Sequence, residues 1–216
     1  FCRLFADALR IIYIVMETNN ADGFFSAAYK IVTYVLIIFW CFFGLCFFYE
    51  YYSKKVLYPL GYREEVLDCA REYDLNPALV FAIIRVESGF DNNAQSGKGA
   101  TGLMQITTET GKYIAEKLKI VNYDLFDAKT NIRFGCFYVR YLTDGFADAK
   151  TAIAAYNAGE GNVRIWLENK AYSDDGRTLK EIPFKETRVY VKKIYESFRK
   201  YKKLYGKLLD KSAKNE

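Results

Sequence analysis

The apolar residues of the chain form one continuous run, followed by a longer region in which they recur at helical spacing. The run, residues 31–49, reads IVTYVLIIFWCFFGLCFFY and contains no charged side chain. A helix of about 20 apolar residues is long enough to cross the hydrocarbon core of a bilayer. Tyr49, Tyr51 and Tyr52 lie where an interfacial aromatic belt would be. We therefore predict a single transmembrane anchor here, preceded by a segment, residues 1–30, to which the sequence assigns no role.

Residues 31–49 also allow two other interpretations. One is a buried core helix, but such helices are seldom this long and this uniformly apolar. The other is a cleaved signal peptide, which would have a shorter apolar region and a cleavage site of small residues. Lys30 precedes the run, and Glu50, Lys54 and Lys55 follow it. Because these flanks are balanced, their charges do not set an orientation in the membrane.

Beyond residue 61 the apolar positions recur with the period of a helix. Helices are predicted to begin near Arg63, Asn76, Thr107 or Thr108, Asp127 or Thr130, Asp148, Asn162 and Lys185. The last is expected to end near Tyr205. No stretch shows the strict alternation that is typical of a strand. We therefore predict an all-α or mostly α domain over residues 62–205. A linker over residues 50–61 would join it to the anchor, and a basic polar tail over residues 206–216 would follow it.

One carboxylate stands at the end of an almost wholly apolar helix. Asn76 is suited to cap the start of this helix, with Pro77 at its first position, and Gly89 is suited to the cap at its end. Residues 78–86 between them are apolar with one exception. Glu87 would then lie in the last turn, where the helix dipole and apolar neighbours both disfavour its charged form. This favours a protonated acid near neutral pH, suited to a glycosidic oxygen, although a surface glutamate is the alternative.

The composition excludes several classes of catalytic and binding site. The chain contains no histidine, which excludes Ser–His and Cys–His nucleophile systems and histidine-ligated zinc. The net charge of +5 is concentrated after residue 191, where nine lysines or arginines face three acids. The remainder carries no basic face of the kind that binds nucleic acid. The basic stretch is expected to be a solvated helix end, with contact to anionic wall polymer or lipid headgroups as the alternative.

Two cysteines, Cys69 and Cys136, lie in the predicted domain. They could pair, but cysteines on core helices are more often buried thiols. We therefore expect no disulfide framework.

Short motifs of small, polar and aromatic residues follow one another between Leu57 and Tyr205. They are Glu87-Ser88-x-Phe90 with Ala94, Ser96, Gly99-Ala100 and Gly102-Leu103-Met104-Gln105; Ala155-Tyr156-Asn157-Ala158-Gly159; Ile182-Pro183-Phe184; and Glu186-Thr187-Arg188-x-Tyr190-Val191. Their order and spacing resemble those of the soluble lytic transglycosylases. These are lysozyme-like enzymes that cut the glycan of bacterial peptidoglycan.

The resemblance implies a lysozyme-like α fold and one catalytic carboxyl, Glu87. In that family's chemistry the acid protonates the glycosidic oxygen between N-acetylmuramic acid and N-acetylglucosamine. It then serves as base for the muramoyl C6 hydroxyl, which attacks C1 without water and leaves a 1,6-anhydro end. Intramolecular attack of this kind has a large effective-molarity advantage. No metal and no cofactor is implied.

The same motifs imply further residues of the site. The residues expected to contact substrate or to position the acid are Ser96, Gln105, Tyr156, Asn157, Glu186 and Tyr190. Tyr156 also suits a core position, Asn157 a helix C-cap, and Gln105 a purely backbone-bonding role. Glu186 is expected to lie inside, where it would need a partner such as Arg188.

Two other acids and one threonine affect this interpretation. Asp91 is expected to brace the motif loop, and Glu109 to stabilise the start of a helix. Thr107 stands where the family often has a methionine that lines the cleft. The departure puts an apolar contact to the sugar in question but leaves the acid chemistry unchanged.

The predicted function is that of a membrane-anchored, extracytoplasmic lytic transglycosylase acting on peptidoglycan glycan strands. One alternative is a lysozyme-type muramidase, which needs a second carboxylate to activate water. The other is a non-catalytic peptidoglycan-binding module of a wall-spanning apparatus. Cell-wall or secretion machinery is the class of protein partner that an anchored enzyme would serve. The outward placement of the domain follows only from its expected wall substrate.

Overall fold

The chain divides between Leu57 and Tyr58 into two compact units, residues 1–57 and residues 58–216. The structure, a computed structural model, describes residue 10 and residues 23–214. The predicted N-terminal segment of unassigned role therefore lies largely outside the described residues. Each unit is described by itself.

The first unit contains one long apolar helix. This helix, α1, spans Gly23–Tyr52 and continues as a π-helical turn over Ser53–Leu57. Its large apolar side chains are exposed; Phe47, for example, is 71% exposed. Residues Tyr29–Leu57 form a helical stretch that is long and apolar enough to cross a membrane, judged by length and composition.

The second unit is built mainly from helices. Within the described residues these are α2 (Arg63–Glu72), α3 (Pro77–Glu87), α4 (Thr108–Leu118), α5 (Ala128–Gly145), α6 (Ala149–Ala158), α7 (Glu160–Glu168) and α8 (Lys185–Lys214). Two strands of two residues, β1 (Ala100–Thr101) and β2 (Ile106–Thr107), pair antiparallel, with Ala100 opposite Thr107. The prediction of a mostly α domain is confirmed, and α8 continues nine residues beyond its predicted end at Tyr205.

Side-chain caps fix the starts of four of these helices. Asn76, Thr107, Asp127 and Asp148 each accept a hydrogen bond from a backbone N–H two or three residues further on, at 2.8–3.1 Å. Short polar side chains at this position satisfy N–H groups that the helix itself leaves unpaired. The helix starts predicted at these residues are confirmed.

The core of the second unit surrounds α3. Val80, Phe81 and Ile84 of this helix are completely buried, and the ring of Phe81 stacks on that of Tyr201 in α8 at 5.5 Å. All buried apolar residues of the described chain lie between Val66 and Leu209. The second unit therefore contains its own hydrophobic core.

Cys69 on α2 and Cys136 on α5 are both buried free thiols. The two thiols lie close enough to interact across the contact between the two helices. The expectation of buried thiols rather than a disulfide is confirmed.

A buried asparagine on α5 positions the loop between α3 and α4. Asn131 is completely buried. Its amide nitrogen donates to the carbonyls of Thr101 and Leu125 at 2.9 and 2.8 Å, and its amide oxygen accepts from the Met104 N–H at 2.8 Å. A Cβ at Gly102 would clash with the Asn131 amide nitrogen and with the Leu125 carbonyl. The loop can approach α5 this closely only because residue 102 is a glycine.

We expect Asn131→Ala to lower the free energy of unfolding by about 2–4 kcal/mol, because it leaves three buried backbone groups without partners. Urea denaturation of the full chain measures this loss. Asn122→Ala, in an exposed loop, is the matched control and should change stability by less than about 0.5 kcal/mol. Equal losses from both substitutions would contradict the bracing role of Asn131.

Candidate active site

Glu87 is the last residue of α3. The helix is capped there by Ser88, whose N–H donates to the Ile84 carbonyl at 3.0 Å. Gly89 then adopts φ +61°, the left-handed conformation that commonly ends a helix. The chain therefore turns away directly after Glu87, and the carboxyl remains at the end of an apolar helix, as the sequence predicts.

Tyr190 on α8 is the hydrogen-bond partner of this carboxyl. Its hydroxyl donates to Glu87 Oε1 at 2.6 Å, and the residue itself is buried. The two residues are 103 positions apart, so the contact depends on the packing of α3 against α8. Burial and the charge of Glu87 both raise the pKa of Tyr190 far above its ordinary value. The phenol therefore stays protonated and remains a donor.

Burial determines the protonation of Glu87. It raises the pKa of this carboxyl from its ordinary value of 4.5 to about 7, and the hydrogen bond from Tyr190 only partly offsets the increase. Loss of hydration disfavours the charged form, whereas a donor to the carboxylate favours it. Near neutral pH the carboxyl is therefore protonated in part of the molecules and ionised in the rest. This is the condition under which one group serves as both acid and base.

Tyr156 on α6 lies close to the acid and to Tyr190. Its hydroxyl donates to the Met104 carbonyl at 2.8 Å. Burial of the hydroxyl raises the pKa of Tyr156 well above 10, and the charge of Glu87 raises it further. Tyr156 thus joins α6 to the motif loop close to Glu87. The structure brings Glu87, Tyr156 and Tyr190 together as the sequence motifs suggest.

Ser88 connects the end of α3 to the motif loop. Its hydroxyl lies 2.9 Å from the Leu103 carbonyl and 3.2 Å from that of Ile84, the groups to which it can donate, and it accepts from the Phe90 N–H at 3.1 Å. One hydroxyl thereby fixes three backbone positions beside the acid. The loop that ends at Leu103 is held against α3 directly after Glu87.

Gln105 lies in the loop with φ +50°. Its side-chain nitrogen donates to the carbonyls of Ala94 and Gly102, at 3.1 and 2.9 Å. Both acceptors belong to the loop itself, so the amide nitrogen stabilises the loop backbone. The side chain is partly exposed, and its amide oxygen is an acceptor that these two bonds do not use.

Ser96 is exposed at the tip of the same loop. Its hydroxyl accepts from the N–H groups of Lys98 and Ala100, at 3.3 and 3.0 Å. These hydrogen bonds close the turn that leads into β1. They connect Ser96 to the loop rather than to Glu87.

Asn157 and Glu186 lie near the start of α8 but differ in their surroundings. The Asn157 amide oxygen accepts from the hydroxyl of Thr187 at 2.8 Å, and Thr187 is buried. Asn157 therefore joins the end of α6 to the first turn of α8. Glu186 is exposed, so the prediction that it lies inside is wrong. It occupies the first turn of α8, where a negative charge is favoured by the helix dipole.

The other two acids considered from the sequence are exposed as well. Asp91 accepts from the Asn93 N–H at 2.9 Å and closes a turn in the loop. Glu109 lies in the first turn of α4. The described residues contain no group of three or more His, Cys, Asp or Glu side chains that could hold a metal ion.

Sequence reasoning did not find three residues that shape the site: Ser88 as a hub, Asn131 beneath the loop, and Thr187 beside Asn157. Asn131 had a signal, since a polar residue occupies the apolar face that Ile132 and Phe134 help to define on α5. The partners of Ser88 and Thr187 are a backbone carbonyl and a distant amide. No local pattern in the sequence identifies such partners.

Comparison with known proteins shows the family to which this domain belongs. The sequence model of the family described as Transglycosylase SLT domain matches residues 66–178, just over half of the chain. The chain belongs to this family. The matched region includes Glu87, the motif loop and Tyr156. It ends before Tyr190, which the fold nevertheless brings to the acid.

Among similar proteins is the soluble lytic murein transglycosylase of Salmonella typhimurium, which is 38% identical over 143 residues, covering 63% of this chain and 22% of that protein. A membrane-bound lytic murein transglycosylase F of Desulfosudis oleivorans is 36% identical over 110 residues, covering 48% and 23%. The structure of lytic transglycosylase Slt from Pseudomonas aeruginosa, an inactive mutant with glutamine in place of a glutamate, superposes with a TM-score of 0.59 at 34% identity, covering 68% and 25%. The chain thus spans about a quarter of the length of these proteins.

The raised pKa of Glu87 in this SLT domain predicts how stability depends on pH. The pKa of Glu87 is about 7 in the folded chain, above its ordinary value of 4.5. As the pH rises, the unfolded chain therefore loses this proton at a lower pH than the folded chain does. The stabilising contribution of the protonated Glu87 carboxyl to the free energy of unfolding is therefore fully present below about pH 4.5. It is lost as the pH rises through 7. Glu87→Gln should remove this dependence. Between pH 4 and pH 9 it should gain up to about 3 kcal/mol in unfolding free energy relative to the wild type. Glu109→Gln should show no comparable gain, and a flat difference for Glu87→Gln would disprove the burial argument.

Tyr190→Phe tests the hydrogen bond to the acid. Because the donor stabilises the carboxylate, its removal should raise the pKa of Glu87 further above 7. Carbon-13 NMR titration of the glutamate carboxyl measures this shift directly. Tyr113→Phe is a control that keeps the acid's partner. A fall in the pKa of Glu87 upon Tyr190→Phe would show that the bond has another role.

Proposed function

We propose that this chain is a peptidoglycan lytic transglycosylase that cleaves the bond between N-acetylmuramic acid and N-acetylglucosamine and leaves 1,6-anhydro ends. The observation that carries the proposal is Glu87, a carboxyl with a pKa of about 7 that is held by Tyr190 at the end of a buried helix. Membership of the SLT domain family and the names of the relatives support the same activity.

The proposed reaction uses one carboxyl in two steps. Protonated Glu87 donates its proton to the glycosidic oxygen while the bond from that oxygen to C1 breaks. The resulting carboxylate removes the proton from the muramoyl C6 hydroxyl as this oxygen forms a bond to C1. The second step returns the proton to Glu87, and no water is consumed. A pKa near 7 suits both steps, since neither protonation state is strongly disfavoured.

The electrostatics of Glu87 favour this mechanism over retaining hydrolysis, in which two carboxyl groups lie about 5–5.5 Å apart. A second carboxylate within about 5–6 Å would raise the pKa of Glu87 by repulsion between like charges. Burial and the Tyr190 hydroxyl are the two causes that act on its pKa. Asp91, Glu109 and Glu186 are all exposed, and Asp91 already accepts a backbone N–H.

The remaining site residues have roles that follow from their contacts. Tyr190 and Tyr156 position the acid and the loop beside it. We propose that the side-chain oxygen of Gln105 accepts a hydrogen bond from the sugar, while its nitrogen holds the loop. Asn157 fixes the start of α8 through Thr187. Ser96 and Glu186, both exposed, are proposed to contact more distant parts of the glycan.

We also propose that α1 anchors the enzyme in the membrane with the catalytic domain on the outer side. The helical stretch Tyr29–Leu57 is long and apolar enough for this, and one relative is named membrane-bound. The side of the membrane on which the domain lies follows from its proposed substrate, peptidoglycan. Cell-wall or secretion machinery is a class of partner that such an anchored enzyme would suit.

Mass spectrometry of fragments released from purified peptidoglycan by the detergent-solubilised full chain tests the reaction. We expect muropeptides that are one water lighter than hydrolysis products and lack a reducible end. Glu87→Gln should lower the rate of release by at least about 10³-fold, since it removes the only proton donor of the mechanism. Glu109→Gln, an exposed glutamate, should leave the rate within about twofold of wild type. Reducing ends would establish a hydrolase. Binding without release would indicate a wall-binding module.

The pH dependence of cleavage provides a second test. Because the first step needs the protonated acid, kcat/KM should fall as the pH rises above about 7, the pKa of Glu87. Rates measured between pH 5 and pH 9 on soluble glycan fragments define this limb. A profile that stays flat up to pH 9 would exclude Glu87 as the general acid.

A further inference from the structure

The outer face of α8 carries a row of cations at helical spacing. Arg199, Lys203, Lys207 and Lys211 follow one another every four residues and are all exposed. Side chains four residues apart lie about 5–6 Å from each other on the same side of a helix. We refer to these four residues as the basic stripe. Arg199 and Lys203 lie opposite Tyr201, which is completely buried, and the row turns about 40° around α8 with each step of four residues.

The basic stripe is a row of four cations along one helix, whereas six cations elsewhere in the domain are each paired with a carboxylate. Ion pairs with carboxylates are formed by Arg71, Arg133, Arg140, Arg164, Lys180 and Arg188. Within the part of the chain that the structure describes, none of the four stripe residues forms an ion pair. Of the two described acids on this part of α8, Glu196 lies 4.0 Å from Lys192, and Asp210 is exposed beside the stripe. Like charges spaced four residues apart destabilise a helix, so an anion bound along the stripe would relieve repulsion.

Two hydrogen bonds join this part of α8 to the first residues of the second unit. The Tyr201 hydroxyl donates to the Pro59 carbonyl at 2.9 Å, and the Tyr205 hydroxyl donates to the Tyr58 carbonyl at 2.9 Å. The candidate membrane-spanning stretch ends at Leu57, the residue directly before Tyr58. The chain is therefore fastened to α8 within two residues of the end of that stretch. The stripe lies about one helix diameter, roughly 10–12 Å, across α8 from this point.

We propose that the basic stripe binds the anionic headgroups of the membrane in which α1 is anchored. The proposal rests on the membrane anchoring proposed above. The short connection presents the stripe to headgroups at high effective concentration, which makes even weak binding effective. Each lysine or arginine close to an anionic surface strengthens binding by roughly fivefold. The stripe would hold the domain at the membrane surface while Glu87 faces the glycan.

Vesicle sedimentation tests the stripe separately from the anchor. Residues 58–216, which contain their own core, are mixed with vesicles of phosphatidylcholine alone or with 30% phosphatidylglycerol. We expect binding to the anionic vesicles at 0.1 M NaCl, little binding to the neutral ones, and loss of binding at 0.5 M NaCl. The stripe variant carries glutamine at all four positions, R199Q, K203Q, K207Q and K211Q. It should partition at least tenfold more weakly.

The control variant replaces four exposed lysines elsewhere in the domain. These substitutions are K112Q, K119Q, K129Q and K170Q. The control has the same net charge as the stripe variant, so equal weakening of both would overturn the proposal and show a general effect of charge. Absence of binding to anionic vesicles would overturn it as well. So would stripe-dependent binding to wall sacculi that carry anionic polymer without binding to vesicles, since this result would assign the stripe to the wall.

Two further measurements separate this proposal from the proposed function. Cleavage of soluble glycan fragments by the stripe variant should equal that of the wild type, because the stripe lies outside the catalytic machinery. Alkaline carbonate extraction of membranes containing the full chain measures anchoring by α1. Release of the full chain would refute the anchor, whereas retention together with failed vesicle binding would refute only the stripe.

Discussion

The contact between Glu87 and Tyr190 depends on one constraint, the packing of α3 along α8. α3 is apolar almost throughout and could not remain in water, so α8 must cover it. The same packing that buries Val80 and Ile84 also removes water from the carboxyl at the end of the helix. The hydrogen bond of 2.6 Å from Tyr190 then makes this burial tolerable for a group that must ionise. Core formation and acid activation are therefore consequences of one helix pair.

This arrangement also explains the loop between α3 and α4. A raised pKa requires that water stay away from one side of Glu87, yet the proposed glycan substrate must reach the other. Hydrogen bonds to its backbone hold the loop in place. Ser88 makes them on the α3 side and Asn131 on the α5 side. Much of the polar character of the motif is thus structural.

The parts of the structure that sequence reasoning predicted well depend on local signals. Asn76 and Gly89 mark the ends of α3 because capping chemistry acts over three or four residues, and the apolar spacing predicts the other helices in the same way. The environment of Glu87 was also predictable, since its neighbours in the helix are apolar. The position of Glu186 was not. Its place in a motif suggested the interior, whereas its orientation on α8 is set by which face packs against α3 and α6. The end of α8 was likewise missed, although Leu208 and Leu209 continue the apolar period of α8 and Leu209 is buried.

The sequence distance between Glu87 and Tyr190, 103 residues, has a consequence for the biogenesis of the protein. A ribosome needs on the order of 5–20 s to add this many residues. Throughout that interval α3 has been made but the helix that covers it has not. The nascent chain then exposes an apolar helix whose carboxyl is hydrated and ordinarily acidic. The proposed glycan-cutting activity would thus arise only when α8 docks, when the domain is nearly complete.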